Sequence, residues 1–271
     1  MELTAWEKVE IARDPRRKSS LEYIEKIFDD FIELHGDRHF RDDKATVCGI
    51  GAIGNINFTV IAQQKGRNTK ENIERNFGMP NPESYRKAIR FMKQAEKFNR
   101  PVITFIDTKG AYPGVGAEER GQGEAIARCM FEMSRLRVPV IAIVIGEGSS
   151  GGALAIGVAN KVYMLENAVY SILSPEGYSS ILWKDASRYK EAAEKMKLTA
   201  HDLYEMNVVD KIIKEKTQVS EEDFDEITSC IKNELLIDLE QMREMTKDEL
   251  VQRRYEKFRN IKGFKEVENA T

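Results

Sequence analysis

Residues Val138 to Val158 read VPVIAIVIGEGSSGGALAIGV. The apolar, β-branched run from Val138 to Ile145 predicts a strand buried on both faces. The small residues after it predict a loop that gives way to a short apolar helix near Gly152. A strand, a small-residue loop and a helix N-terminus in that order leave main-chain N–H groups free to converge on one point, where the helix dipole also favours negative charge. The stretch is therefore expected to hold an anionic oxygen.

Several templates fit these residues. Gly146, Gly148 and Gly151 satisfy G-x-G-x-x-G, and Glu166 at the end of the next apparent strand would serve as the acidic residue of a dinucleotide site. Gly148, Ser150 and Gly152 satisfy G-x-S-x-G, the nucleophile elbow of α/β-hydrolases, with Asp185 and His201 following in the order Ser, Asp, His. An oxyanion hole made only of main-chain amides, with Gly151 and Gly152 as donors, is a third reading. A glycine-rich packing turn is a fourth.

Outward from this stretch the pattern repeats. PVITFI at 101–106 is a second buried strand, and it opens into DTKGAYPGVGAEERGQ, with Gly110, Gly114 and Gly116 in the loop and Ile126, Met130 and Met133 on one face of the following helix. Two consecutive units of this kind place both loops on the same edge of a parallel sheet, and any active site is expected there. Before them, residues 45–64 read as a hairpin turning at Gly54-Asn55, and Asn81-Pro82 opens a helix. Between those two, Lys65, Arg67, Lys70 and Arg75 are a phosphate-contacting set or equally a solvated face. Leu21, Ile24, Phe28, Phe31 and Leu34 predict one helix opened by a Ser19/Glu22 capping box. After the deciding stretch come the short strands KVYMLE and VYSIL, a helix opened by Ser174-Pro175, a last strand at VVDKII, and a charged helical segment from about residue 220. Its stripe of Ile227, Ile231, Leu235 and Leu239 is expected to pack on a partner subunit.

The chain has 271 residues, 32% of them charged and 41% hydrophobic, with a net charge of −3. That is an ordinary soluble composition without a basic nucleic-acid footprint. No run approaches the ~20 apolar residues of a membrane span, and MELTAWEKVEIARD lacks the apolar core of a signal peptide, so a cytoplasmic protein is expected. Cys48, Cys129 and Cys230 form no C-x-x-C pair and read as buried reduced thiols; with no H-E-x-x-H either, no metal site is expected.

QKGR at 64–67, NFGMP at 76–80, AYPGVGAEERGQ at 111–122, GEGSSGGALAIG at 146–157 and SPEG at 174–177 together resemble the α subunit of the bacterial acetyl-CoA carboxylase carboxyltransferase. The resemblance runs from about Trp6 to Tyr255. It implies an α/β fold of the crotonase-like (ClpP/crotonase) type, a spiral of β-β-α units with flanking N- and C-terminal helices. The corresponding division is N-terminal helices at 1–36, a carboxyltransferase core at 37–215 and a C-terminal helical segment at 216–271.

The resemblance also implies a half-enzyme: an α2β2 heterotetramer with a carboxyltransferase β subunit, in which the β side mainly holds acetyl-CoA. The α side mainly receives carboxybiotin presented by the biotin carboxyl carrier protein, with biotin carboxylase in the wider complex. The reaction is carboxyl transfer to acetyl-CoA, giving malonyl-CoA for fatty-acid synthesis. No cofactor is expected to be bound covalently by this chain, and no nucleic acid or membrane partner is implied. By similarity, Gly151 and Gly152 supply main-chain donors to the biotin ureido oxygen, and losing one such donor costs ~3 kcal/mol. Gly110, Ala111, Gly114, Val115, Gly116 and Gly148 are expected in the loops facing carboxybiotin. Two residues depart from the family pattern: Lys109, where proline is expected after Asp-Thr, and Ser149, where glycine is expected. A bulky β-branched residue at Gly152 is expected to abolish transfer and leave assembly intact. The rival readings are a regulatory paralogue that binds the β subunit without catalysis, and a serine hydrolase using Ser150.

Overall fold

The computed structural model describes residues 3–217 and 220–261. One eight-stranded sheet organises them. Strands β1 (Asp30–Glu33), β2 (Thr46–Ile53) and β3 (Ile56–Gln63) are antiparallel neighbours at one side, and the β2–β3 turn falls at Gly54-Asn55, where Gly54 takes φ +55°. From β3 onward the pairing is parallel: β4 (Val102–Thr108), β5 (Val140–Ser149), β6 (Lys161–Leu165), and, after the short β7 (Val169–Ser171), β8 (Lys211–Ile213) beside β6. Parallel order puts the C-terminal ends of β3, β4 and β5 on one edge, as the two strand–loop–helix units require.

The deciding stretch folds differently from its reading in one respect. Residues 146–149 are not a loop: they continue β5, whose first half pairs with β6 and whose second half pairs with β7. Opposite this switch, the pairing with β4 slips its register between Ile106 and Thr108. The glycines that suggested a loop are instead what lets the strand pass crowded neighbours. A Cβ on Gly146 would lie 2.4 Å from Asp107 Oδ1, and one on Gly148 would lie 2.9 Å from the Tyr170 ring.

Helices cover both faces: α1 (Ala5–Ala12), α2 (Ser20–Ile27), α3 (Thr69–Glu74), α4 (Pro82–Lys97), α5 (Val115–Glu119), α6 (Gln122–Ser134), α7 (Ser150–Leu154), α8 (Pro175–Trp183), α9 (Tyr189–Met196), α10 (Ala200–Glu205), α11 (Glu221–Arg243) and α12 (Lys247–Arg259). The expected caps form. Ser19 and Glu22 close a capping box, Asn81 and Pro82 open α4, and the Ser174 hydroxyl accepts from Gly177 N–H at 3.1 Å. No helix among the described residues is long and apolar enough to cross a membrane.

Three expectations need correction. The helix at 19–34 stops at Ile27, and Phe31 lies in β1, because Gly49 and Gly51 in β2 leave hollows that Phe31 and Phe28 fill from the edge. The N-terminal segment is thus not purely helical. The C-terminal segment does not project: Phe224, Ile227, Ile231, Leu235 and Leu239 belong to the main core, and Phe224 meets Tyr23 of α2 edge-on at 4.9 Å. Residues 262–271 of that segment lie outside the described residues. Cys48 and Cys129 are buried as expected, burial pushing the Cys48 thiol up to about 12 and Cys129 higher still, but Cys230 is exposed on α11.

The buried Arg254 of α12 ties this segment down. Its Nη1 donates to the carbonyls of Met133, Ser134 and Leu136 at 3.0, 3.2 and 2.9 Å, and its Nη2 donates to Val138 O and Asn160 Oδ1 at 3.1 and 2.6 Å. A cation at the C-terminus of α6 answers the negative end of that helix. With no carboxylate partner among the described residues, burial lowers the pKa of the guanidinium to about 10.

Candidate functional site

The site is built where the ends of β4 and β5 touch. Gly110, in the left-handed region at φ +132°, passes over Ser150 with its Cβ position 3.6 Å from Ser150 Cβ. One turn further, the Cβ position of Gly152 lies 2.7 Å from Ala111 N and 2.7 Å from Gly110 C. Only a residue without a side chain allows this approach, so the two loops expected on one sheet edge are in direct contact. Ser150 itself has φ +61°, a conformation costing a non-glycine residue roughly 1–3 kcal/mol unless its surroundings impose it.

The short helix α7 starts at this contact. Among the described residues no side chain caps its first turn, and the N–H groups there have no acceptor within the helix. Gly151 is half-buried and roomy: its Cβ position meets only Ile126, at 3.4 and 3.8 Å. Gly152 is buried against Gly110-Ala111. The pair therefore divides its work, Gly151 leaving space in front of the donors and Gly152 allowing the loops to close behind them. A β-branched residue at Gly152 would displace the main chain of Gly110-Ala111 as well as the donors.

Polar groups brace the edge from below. Asp107, the penultimate residue of β4, accepts Lys65 Nζ at 2.5 Å and Glu147 N–H at 3.0 Å. The Thr108 hydroxyl donates to Gly78 O at 2.6 Å, fastening the NFGMP turn, where Asn76, Phe77 and Gly78 are all left-handed. Gln122 Nε2 holds the carbonyls of Pro80 and Tyr112, both at 2.9 Å. On the far side of β5, Arg13 links Glu147 and Glu176 at 2.8 and 2.7 Å. Burial alone would lower the pKa of Arg13; its hydrogen bonds to Glu176 and Glu147 outweigh that and hold it above its ordinary value. Burial also drives the Tyr170 hydroxyl up; this ring supports Gly148, and its oxygen lies 2.6 Å from the Cβ position of Gly157.

Of the loop residues expected to face substrate, Gly110 and Ala111 meet Gly152. Gly114 caps α5 with its Cβ position on the Tyr112 ring, Val115 is 76% exposed, and Gly116 O accepts from Arg120. Gly148, expected in a loop, is instead a buried strand residue, paired with Thr108 and Tyr170 and with its Cβ position against the Tyr170 ring. Lys109 is exposed, and Ser149 is buried at the end of β5. Lys65 and Arg75 are spent on Asp107 and Lys44 O rather than offered to a phosphate.

The hydrolase set does not assemble. Asp185 bonds Ser187, and His201 lies 3.5 Å from Glu166, on α10. The dinucleotide reading fails as well, since α7 has five residues and Gly146 and Gly148 are strand positions. Sequence reasoning missed Gln63, Asp107, Thr108 and Arg13. Gln63 stands beside the QKGR motif and Asp107-Thr108 open the DTKG loop, but the roles of all four rest on contacts between elements distant in sequence.

A family model described as acetyl co-enzyme A carboxylase carboxyltransferase-like matches residues 1–262. The chain is 62% identical over 248 residues to the acetyl-coenzyme A carboxylase carboxyl transferase subunit alpha of Streptococcus gordonii, covering 92% of this chain and 95% of that protein. A Natranaerobius thermophilus protein named as the beta/alpha subunits of that transferase is 56% identical over 267 residues, covering 98% of this chain and 44% of that one. Among solved structures, transcarboxylase 12S, crystallised with methylmalonyl-coenzyme A and methylmalonic acid, superposes with a TM-score of 0.70 at 19% identity, over 87% of this chain and 44% of that chain. The architecture is the crotonase-like one.

Proposed function

The chain belongs to the acetyl co-enzyme A carboxylase carboxyltransferase-like family, and we propose that its glycine-lined sheet edge is the α-subunit half of a carboxyl-transfer site. The reaction is transfer of a carboxyl group to acetyl-CoA, yielding malonyl-CoA. Carboxybiotin, presented by a biotin carboxyl carrier protein, supplies the activated carboxyl group. The β subunit supplies the acetyl-CoA side of the site in an α2β2 assembly, consistent with the fused beta/alpha relative. Biotin carboxylase in the wider complex and a cytoplasmic location complete the reading.

The observation that carries it is the contact of Gly152 with Gly110-Ala111 beneath an uncapped helix start. The residues fit an oxyanion whose negative charge grows during reaction. N–H groups at Gly151 and Gly152 are fixed before substrate arrives, they carry the helix dipole, and no Cβ blocks Gly151. Preorganised donors of this kind stabilise developing charge without reorganising at the moment of reaction. Gly110 and Ala111 exclude water from the rear of the donors, and Asp107, Lys65 and Gln63 keep the edge rigid.

The test is malonyl-CoA formation from acetyl-CoA and carboxybiotin with this chain alone, with the β subunit alone and with both. Activity only in the mixture supports a half-site enzyme. A stable but inactive complex would overturn the reading in favour of a regulatory paralogue.

A further inference from the structure

Gln63 is a buried polar side chain at the last residue of β3 that reaches across β4 to α7. Its Nε2 donates to Gly152 O at 2.7 Å, and its Oε1 accepts Asp107 N–H at 3.2 Å. The orientation of the amide is fixed, because a carbonyl can only accept and a main-chain N–H can only donate. Its own carbonyl is held by the Ser20 hydroxyl at 2.6 Å, which anchors the strand end from α2.

The Gly152 carbonyl has particular need of this partner. In a continuing α-helix it would accept the N–H of Ile156, four residues on. Here Ile156 N–H donates to Ala153 O at 3.3 Å, as the chain tightens after the five residues of α7. Gly152 O is therefore served by the Gln63 amide, and a side chain from two strands away sets the rotation of the first turn of α7. That turn carries the Gly151 and Gly152 donors.

We infer that Gln63 is a positioning residue for carboxyl transfer: by clamping Gly152 O to the β4 main chain it aims the N–H groups of Gly151 and Gly152 at the substrate oxyanion. The inference rests on the carboxyl-transfer reading above. Gln63 acts through Gly152, so losing its donor should change the rate of the chemical step more than the binding of acetyl-CoA.

Two substitutions test this in the complex with the β subunit, after the wild-type complex has been shown to form malonyl-CoA. Gln63→Met keeps the length and removes both hydrogen bonds; with the donors free to shift by up to about 1 Å, kcat should fall by up to about 100-fold while KM for acetyl-CoA stays within about twofold. Gln63→Glu keeps the shape and the acceptor for Asp107 N–H but sets a carboxylate oxygen against Gly152 O. Asp107 and Lys65 stand beside this position, Glu147 N–H donates to Asp107, and Arg17 and Tyr23 lie within electrostatic reach of Asp107. These groups are common to both proteins, so the ratio of variant to wild-type kcat isolates the new carboxyl group. That ratio should be low at pH 8.5 and rise about tenfold or more toward pH 6 as the carboxyl gains the proton it needs to donate to Gly152 O.

A purely structural role would lower the melting temperature and the active fraction without a pH-dependent ratio. Wild-type kcat in both variants, or a Gln63→Glu ratio flat across that pH range, overturns the inference. If Gln63→Met does not fold, the isosteric Gln63→Glu variant decides by its profile. An inactive wild-type complex refutes the carboxyl-transfer reading itself, so the two failures are distinct.

Discussion

Placing a methyl group at Gly152 tests the central contact directly. The new Cβ would stand 2.7 Å from Ala111 N and Gly110 C and 3.1 Å from Gly110 Cα, all main-chain atoms with no rotamer to escape into. Atoms of this kind rest at about 3.5 Å, so α7 and the 110–111 loop must part by ~0.8 Å. Overpacking of this size costs about 1–3 kcal/mol, which for a chain of this length lowers the melting temperature by roughly 2–4 °C per kcal/mol. A displacement approaching 1 Å at donors that must meet a developing charge costs on the order of 100-fold in rate. Gly151→Ala is the internal control for sterics, since its Cβ would make ordinary contact with Ile126 at 3.4 Å and its N–H is kept. The assay is malonyl-CoA formation by the complex with the β subunit, alongside thermal melts of each variant. Gly152→Ala should lose most turnover and some stability, and Gly151→Ala should melt within about 1 °C of wild type. A Gly152→Ala protein as active and as stable as wild type would refute the claim that close approach of the two loops builds the site.

Two further outcomes follow from buried charges away from the site. Arg254→Met leaves the carbonyls of Met133, Ser134, Leu136 and Val138 short of a donor in the interior, and should cost about 3–5 kcal/mol in urea unfolding; unchanged stability would mean that α12 is not the clasp of α6. Asp42 pairs with the buried Lys87 at 2.6 Å; burial alone would raise its pKa, but the Lys87 and Gly36 bonds outweigh that and hold it below the ordinary carboxylate value. A depressed folded-state pKa gives stability that is present above the unfolded value of ~3.9 and lost as pH falls through the folded one. Melting temperature should therefore drop as pH falls below about 4, and Asp42→Asn should be less stable than wild type at pH 7 by a margin that shrinks as pH falls through the folded-state pKa; a constant difference down to acid pH would argue against the pair.

Elements specified by near neighbours were legible in the chain. The Gly54-Asn55 hairpin, the Ser19/Glu22 capping box, the buried strands read at 101–106 and 138–145 and the common edge on which they end all follow from local turn chemistry, periodicity and parallel order. The motifs at 64–67, 76–80, 111–122, 146–157 and 174–177 carried the family before any coordinates. Composition could not say which glycines make room for a substrate and which for a neighbouring strand. Gly146 and Gly148 give way to Asp107 and Tyr170, Gly152 to the 110–111 main chain, and Gly151 alone of these four lies open. A missing side chain looks the same in sequence whatever would have filled its place.

The same limit explains Phe31, whose helical spacing was overridden by hollows that Gly49 and Gly51 leave on a strand distant in sequence. It also explains the C-terminal stripe, whose partner proved to be α2 and β8 of its own chain. The order of the strand–loop–helix units, the Ser19 and Ser174 caps and the edge on which a site could form are written in the sequence, because they depend on residues close to each other along the chain. Only the tertiary structure decided how Gln63, Asp107 and the 110–111 loop meet at α7, because hydrogen bonds and clashes between strands have no period along the chain.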